Sequence, residues 1–175
     1  MHLQPYNPIE HIKARLKTPE SIARKLYRRN LPLTAHAAVT NLHDIAGLRC
    51  ICSYTKDIRL IADVLKRQPD LKLLSEKDYV EYPKTSGYRS HHLILDVPIY
   101  LTNRTELLPV EVQIRTQAMD FWATLEHKVR YKYNNQVPTS LSDELFEIAE
   151  RITELDGRMS LIQDIADLSR GPDDE

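Results

Sequence analysis

Glu106-Leu-Leu-Pro-Val110-Glu111-Val112-Gln113-Ile114-Arg115 is the stretch that decides the fold. From Val110 onward apolar and polar residues alternate one for one, and a strand sends successive side chains to opposite faces. Val110, Val112 and Ile114 therefore share one face, and Glu111, Gln113 and Arg115 share the other. A carboxylate, an amide and a guanidinium are thus collected on one side of a sheet. Upstream, Arg89 to Leu101 is a second β-rich run, and Thr102-Asn103-Arg104-Thr105 between the two is turn chemistry, so the pair reads as a hairpin.

Working outward, Gly47 to Tyr54 is short, apolar and β-rich, which predicts a buried strand. Thr55 caps an expected helix from Asp57 to Gln68 that ends at Pro69, and Leu71 to Tyr79 is a weaker strand candidate before a loop from Val80 to Tyr88. Toward the start, Asn7-Pro8 and Thr18-Pro19-Glu20 both place a capping residue before a proline, which predicts two short basic helices. A loop from Asn30 to Thr34 leads into a helical stretch reaching about Ala46. Toward the end, a helix from Thr116 to Tyr131 turns Ala118, Trp122, Leu125 and Val129 to the core. Ser142 is expected to N-cap a last long helix, apolar at Leu145, Ile148, Ile152, Leu155 and Met159. The sequence has no internal repeat, and the terminal Gly171-Pro-Asp-Asp-Glu175 is expected to fray.

Composition bounds the rest. At 175 residues, 42% hydrophobic and 28% charged, the chain can build one main core. No run approaches the length of a membrane span and the start lacks a signal-peptide pattern, so a cytoplasmic protein is expected. The net charge of -1 hides an asymmetry, with residues 1–30 strongly basic and residues 141–175 strongly acidic. A basic start suits phosphate, and an acidic end suits a solvated helix or a partner surface. Four glycines cannot build a glycine-rich phosphate loop, so a bound nucleotide must be held by side chains.

Several residues could carry chemistry. Asp44 falls at the end of an expected helix, where a carboxylate opposes the dipole. A magnesium ion would offset that cost, with Glu111 on a neighbouring strand as second oxygen ligand; a plain surface turn is the alternative. Arg15, Lys17, Ser21 and Lys25 gather around a helix start that suits an anion, although a solvated basic face has the same look. Between Tyr82 and His92 an aromatic ring, a cation and two imidazoles occur in one short span, with Tyr88 open to base stacking or to packing on a strand edge. Cys50 and Cys52 lack the further soft ligands of a metal site and read as reduced core thiols.

Taken together, five segments resemble the synthetase domain of the RelA/SpoT-type alarmone synthetases, and most closely the stand-alone small synthetases of the RelQ-like kind. They are Arg15-Leu-Lys17-Thr-Pro-Glu-Ser21-Ile-Ala-Arg-Lys25, Asp44-Ile-Ala-Gly-Leu-Arg49, Tyr82-Pro-Lys84-Thr-Ser-Gly87-Tyr88-Arg-Ser-His-His92, Glu111-Val-Gln113-Ile-Arg115 and the helix Ala118 to His127. The resemblance covers about residues 6 to 133 and implies an α+β fold, a mixed β-sheet flanked by helices of nucleotidyltransferase-like type. It divides the chain into a catalytic domain, 1–135, and a C-terminal helical extension, 136–175, expected to serve oligomerisation. The implied activity is transfer of the β,γ-pyrophosphate of ATP to the 3′-hydroxyl of GDP or GTP, giving ppGpp or pppGpp and AMP. The implied cofactor is Mg²⁺, held by Asp44 and Glu111, with Glu111 also accepting the proton of the attacking hydroxyl. On the ATP side the resemblance places Arg15, Lys17, Ser21, Lys25, Arg49 and His92, the two arginines sandwiching adenine. On the GDP/GTP side it places Lys84, Tyr88 stacked on guanine, Gln113, Asp120 and Arg115. Asp120 stands where an asparagine-like contact is expected. The relatives also imply a homotetramer, with an allosteric alarmone or single-stranded RNA site in a central cleft.

Two other readings stay open on the sequence. One is a toxin of the same fold that transfers pyrophosphate to the 3′ end of tRNA. The other is a non-catalytic nucleotide- or RNA-binding regulator, against which the intact Asp44 and Glu111 argue.

Overall fold

In the computed structural model, which describes residues 7–169, five helices flank one mixed sheet of five strands. The strands are β1 (Ile9–Leu16), β2 (Ala46–Cys52), β3 (Lys72–Asp78), β4 (His91–Tyr100) and β5 (Thr105–Thr116), in the spatial order β1-β2-β5-β4-β3. Only the central β2–β5 pair is parallel; the remaining three pairs are antiparallel. The expected α+β architecture and the hairpin of β4 and β5 are both present.

The helices are α1 (Pro19–Arg28), α2 (Ala35–Asn41), α3 (Thr55–Lys66), α4 (Gln117–Lys132) and α5 (Thr139–Ser169). Helix α3 packs against β5, β2 and β4. The main core joins Ile58, Ile61 and Ala62 of α3 to Cys50, Cys52, Leu93, Leu95, Val112 and Ile114 from the strands. Both cysteines are free and buried there, and burial pushes the Cys50 and Cys52 thiols up, away from reactivity.

Five expectations are corrected. The first basic helix is strand β1. Residues 9–16 pair with β2 from Ile9↔Cys52 to Leu16↔Ala46, and the ladder outweighs the local capping signal at Asn7-Pro8. Helix α2 stops at Asn41, so Asp44 lies in the turn beyond it rather than within a helix end. Helix α3 begins one residue earlier than a Thr55 cap allows, with Tyr54 as N-cap and its amide donating to Asp57 Oδ2 at 3.0 Å. Helix α5 starts at Thr139, where the Pro138 carbonyl accepts from the amides of Leu141 and Ser142, so Ser142 is inside the first turn. In α4 the buried residues are Met119, Trp122 and Ala123, while Leu125 is exposed. The Thr116 hydroxyl accepts from the Met119 amide at 3.1 Å and so fixes the helix phase. The terminal residues 171–175, expected to fray, lie outside the described residues.

Helix α5 lies along the domain against α4 and α3. The Trp122 indole donates to the Leu145 carbonyl at 2.8 Å, and Ala149 is buried with Trp122 and Ala123. The Thr116 hydroxyl donates to the buried Asp156 at 2.7 Å, and Lys56 pairs with Asp164 at 2.7 Å.

Candidate active site

Strand register sets the site. Lys13, Arg49, Gln113, His92 and Lys77 are successive cross-strand partners from β1 to β3, and Arg15, Gly47, Glu111, Ile94 and Ser75 form the parallel row beside them. Partners across a ladder point to the same face. One rank of polar side chains therefore crosses all five strands, and the row beside it adds Arg15, Glu111 and Ser75, on the face opposite Val112 and Ile114.

Two clefts open on this face. The first, of about 480 Å³, is lined by Lys13, Arg15, Lys17, Arg49 and Gln113, together with Asp44 and Glu111. The second, of about 390 Å³, is lined by Lys25, Arg29, His43, Lys77, Lys84 and His92, again with Asp44 and Glu111. The two carboxylates form the wall common to both.

Asp44 is held by two cations. Lys17 Nζ lies 2.5 Å and Lys25 Nζ 2.6 Å from its Oδ2. Burial alone would raise the Asp44 pKa, but these hydrogen bonds outweigh it and hold the carboxyl below its ordinary value. Its other oxygen, Oδ1, is buried with no hydrogen-bond partner among the described residues. Glu111 accepts from Gln113 Nε2 at 3.0 Å and has His92 Nδ1 3.4 Å from Oε1. The His92 contact lowers the Glu111 pKa against burial and against the neighbouring charge of Asp44.

The remaining expected residues divide clearly. Arg15 and Arg49 line the same cleft from adjacent strands. Arg49 pairs with Asp120 at 3.1 Å, and Asp120 also receives Arg115 Nη1 at 3.3 Å, so it joins two arginines. Tyr88 is largely enclosed, edge-on to His92 and Tyr79, with the Lys84 ammonium 4.6 Å from its ring centroid. Arg115 is 2% exposed and donates to the Tyr88 hydroxyl at 2.8 Å. Ser21, Tyr88, Arg115 and Asp120 stand outside the linings of both clefts; the Ser21 hydroxyl accepts from Thr18 in the first turn of α1. His91, the neighbour of His92, points to the other side, buried against Glu76 at 2.8 Å.

Sequence reasoning missed Lys13, Arg29, His43 and Lys77 as cleft residues. For Lys13 the signal was present: Lys13, Arg15 and Lys17 recur every second residue, the period of a strand. Arg29, His43 and Lys77 come together only through the packing of α1, the Asp44 turn and edge strand β3.

A polar sheet face with two cationic clefts meeting at a carboxylate pair defines an enzyme-like site for two anionic ligands. Residues 14–136 match the family described as "Region found in RelA / SpoT proteins", and the chain belongs to it. It is 52% identical over 154 residues to GTP pyrophosphokinase YwaC of Bacillus subtilis (strain 168), covering 88% of this chain and 73% of that protein. Among solved structures it superposes on small alarmone synthetase 2 from Bacillus subtilis with a TM-score of 0.84 at 50% identity, covering 91% of this chain and 83% of that one. Small alarmone synthetase 1 of the same organism, bound to its product pppGpp, gives 0.82 at 38% identity, covering 89% and 79%.

Proposed function

We propose that the chain is a GTP pyrophosphokinase, moving the β,γ-pyrophosphate of ATP to the 3′-hydroxyl of GDP or GTP and releasing AMP. The observation that carries this reading is the common wall: Asp44 and Glu111 line both clefts. A nucleotide in each would bring donor phosphates and acceptor hydroxyl to one carboxylate pair, and such transfer depends chiefly on alignment and charge neutralisation. The name of YwaC and the product bound to small alarmone synthetase 1 support the same reaction.

In this reading Arg15 and Arg49 hold adenine in the first cleft between flat guanidinium faces. Lys17 and Lys25 take the ATP phosphates, with Ser21 at the start of α1 beside them. Lys84 meets the acceptor in the second cleft with Tyr88 packed beside it, Gln113 reaches it from the first cleft across Glu111, and the buried Arg115 and its partner Asp120 act on it through Tyr88 and Gln113. Both imidazole nitrogens of His92 are engaged by protein, which draws it toward Glu111 and away from the ATP phosphates. Glu111, kept ionised by that contact, accepts the proton of the 3′-hydroxyl.

The donor set fits Mg²⁺: two carboxylates supply hard oxygens, and the buried Asp44 Oδ1 has a free lone pair. Asp44 and Glu111 would hold the ion, which when bound neutralises charge on the phosphoryl oxygens. Among the described residues no helix is long and apolar enough to cross a membrane, and we place the protein in the cytoplasm. The extension 136–175 would serve assembly into a homotetramer, supported by the exposed Leu155, Met159, Ile162 and Ile165 on α5. An alarmone or single-stranded RNA site in a cleft of that assembly belongs to the same proposal.

Chromatography of nucleotides after incubation with ATP, Mg²⁺ and GDP or GTP tests the reaction. A guanosine 3′-pyrophosphate and equimolar AMP are expected. No product with either acceptor overturns the reading, and label transferred instead to purified tRNA would establish the tRNA-directed alternative.

A further inference from the structure

Five polar side chains close into a ring. Gln113 Nε2 donates to Glu111 Oε2 at 3.0 Å, and Arg115 Nη2 donates to Gln113 Oε1 at 2.6 Å and to the Tyr88 hydroxyl at 2.8 Å. The Tyr88 oxygen is 2.9 Å from His92 Nε2, and His92 Nδ1 is 3.4 Å from Glu111 Oε1. Each oxygen of the Glu111 carboxylate is therefore engaged from its own side, one by Gln113 and one by His92.

The proton positions follow from the partners. A lone pair of His92 Nδ1 aimed at a carboxylate 3.4 Å away would be repelled, so Nδ1 carries the hydrogen. The Tyr88 hydroxyl, already accepting from Arg115, is the group that meets His92 Nε2 and so holds the imidazole from its far side. The ring is also anchored. Arg115 is 2% exposed and is fixed at its far end by Asp120, which pairs with Arg49 as well.

We propose that Tyr88 is a positioning residue for Glu111 in addition to its place at the acceptor base: its hydroxyl, acting through the imidazole of His92, sets the plane of the Glu111 carboxylate. This deepens the pyrophosphokinase reading and rests on it. No proton passes around the ring; it holds the carboxylate in the geometry needed to meet the acceptor hydroxyl. A side chain used only for stacking needs no hydroxyl, so phenylalanine would serve as well as tyrosine. A side chain used for both does not tolerate that change.

The test is Tyr88→Phe, which keeps the ring and removes the hydroxyl. Steady-state kinetics are expected to show a kcat about tenfold lower, the scale of losing an orienting partner, with KM for ATP and for GDP changed by less than about twofold. In protein labelled with ¹⁵N-histidine, the His92 Nε2 resonance is expected to shift in Tyr88→Phe, because its partner is lost. A wild-type kcat in Tyr88→Phe, or a loss confined to KM, overturns the role. So does a His92 Nε2 resonance that Tyr88→Phe leaves unmoved. Failure of the unaltered chain to turn over ATP with either acceptor would instead overturn the reaction itself, and the His92 Nε2 shift then still decides whether the ring exists.

Discussion

Gly87 rests directly on Ala149: a Cβ placed on Gly87 would come within 2.6 Å of the Ala149 Cβ. The loop that carries Lys84 and Tyr88 is thereby seated on α5, with Tyr88 packed against the Trp122, Ala123 and Ala149 cluster. Gly87 also has φ +86°, a conformation that an L side chain adopts only under strain.

Gly87→Ala is accordingly expected to displace the loop and to cost about 1–3 kcal/mol in stability, the scale of a strained backbone position. Its kinetic mark should be a KM for GDP or GTP raised several-fold more than that for ATP. Equal effects on the two nucleotides would show that the loop does not serve the acceptor.

Glu111→Gln preserves shape and removes the charge that both clefts share. Synthesis is expected to fall by about 10²–10³ or more, as when one electrostatic element of a site is lost. ATP affinity, measured by equilibrium binding without acceptor, is expected to change little, because Arg15 and Arg49 are untouched. Turnover near that of the unaltered chain would sink the role of Glu111.

Trp122 is the single tryptophan of the chain, and its indole is tied to the Leu145 carbonyl. A chain ended after Pro138 is expected to show red-shifted emission and a lower unfolding midpoint, since α5 covers Trp122. An unchanged spectrum would mean that α5 is peripheral to the fold.

Asp156 gives a pH signature. Burial raises its pKa above 3.8, only partly countered by the Thr116 hydroxyl. The folded state therefore binds the proton more tightly than the unfolded one, and stability falls as pH rises from 3.8 through the folded pKa. Asp156→Asn keeps an acceptor for Thr116 without the buried charge. It is expected to raise the urea midpoint at pH 7.5, with the gain shrinking as pH is lowered. A gain independent of pH would assign the effect to packing.

The parts of the fold that sequence reasoning reached are those whose period is set by the core. Val110, Val112 and Ile114 alternate against a buried face, and Trp122 lies on the buried side of α4. The part it missed, β1, has no such stripe: apart from Ile9 its residues are exposed, and it is a strand because β2 offers a free edge. Of the candidate site, single residues were readable and their pairings were not. Lys17 and Lys25 were expected at an anion, yet both converge on Asp44, 27 and 19 residues away in the chain. Asp120 gave no sign in the sequence that it would join Arg49 to Arg115, because α4 and β2 meet only in the folded sheet.

The lysine pair on Asp44 bears on the order of events. Two ammonium groups against one carboxylate leave that corner of the site with a net positive charge, which repels a free divalent cation. In the proposed function an incoming triphosphate would compete for the same ammoniums and, in drawing them off, uncover Asp44 Oδ2. Metal and donor nucleotide are thus expected to enter as one unit. Calorimetric titration should detect magnesium binding in the presence of a non-hydrolysable ATP analogue and little without it; Lys25→Met would loosen that dependence.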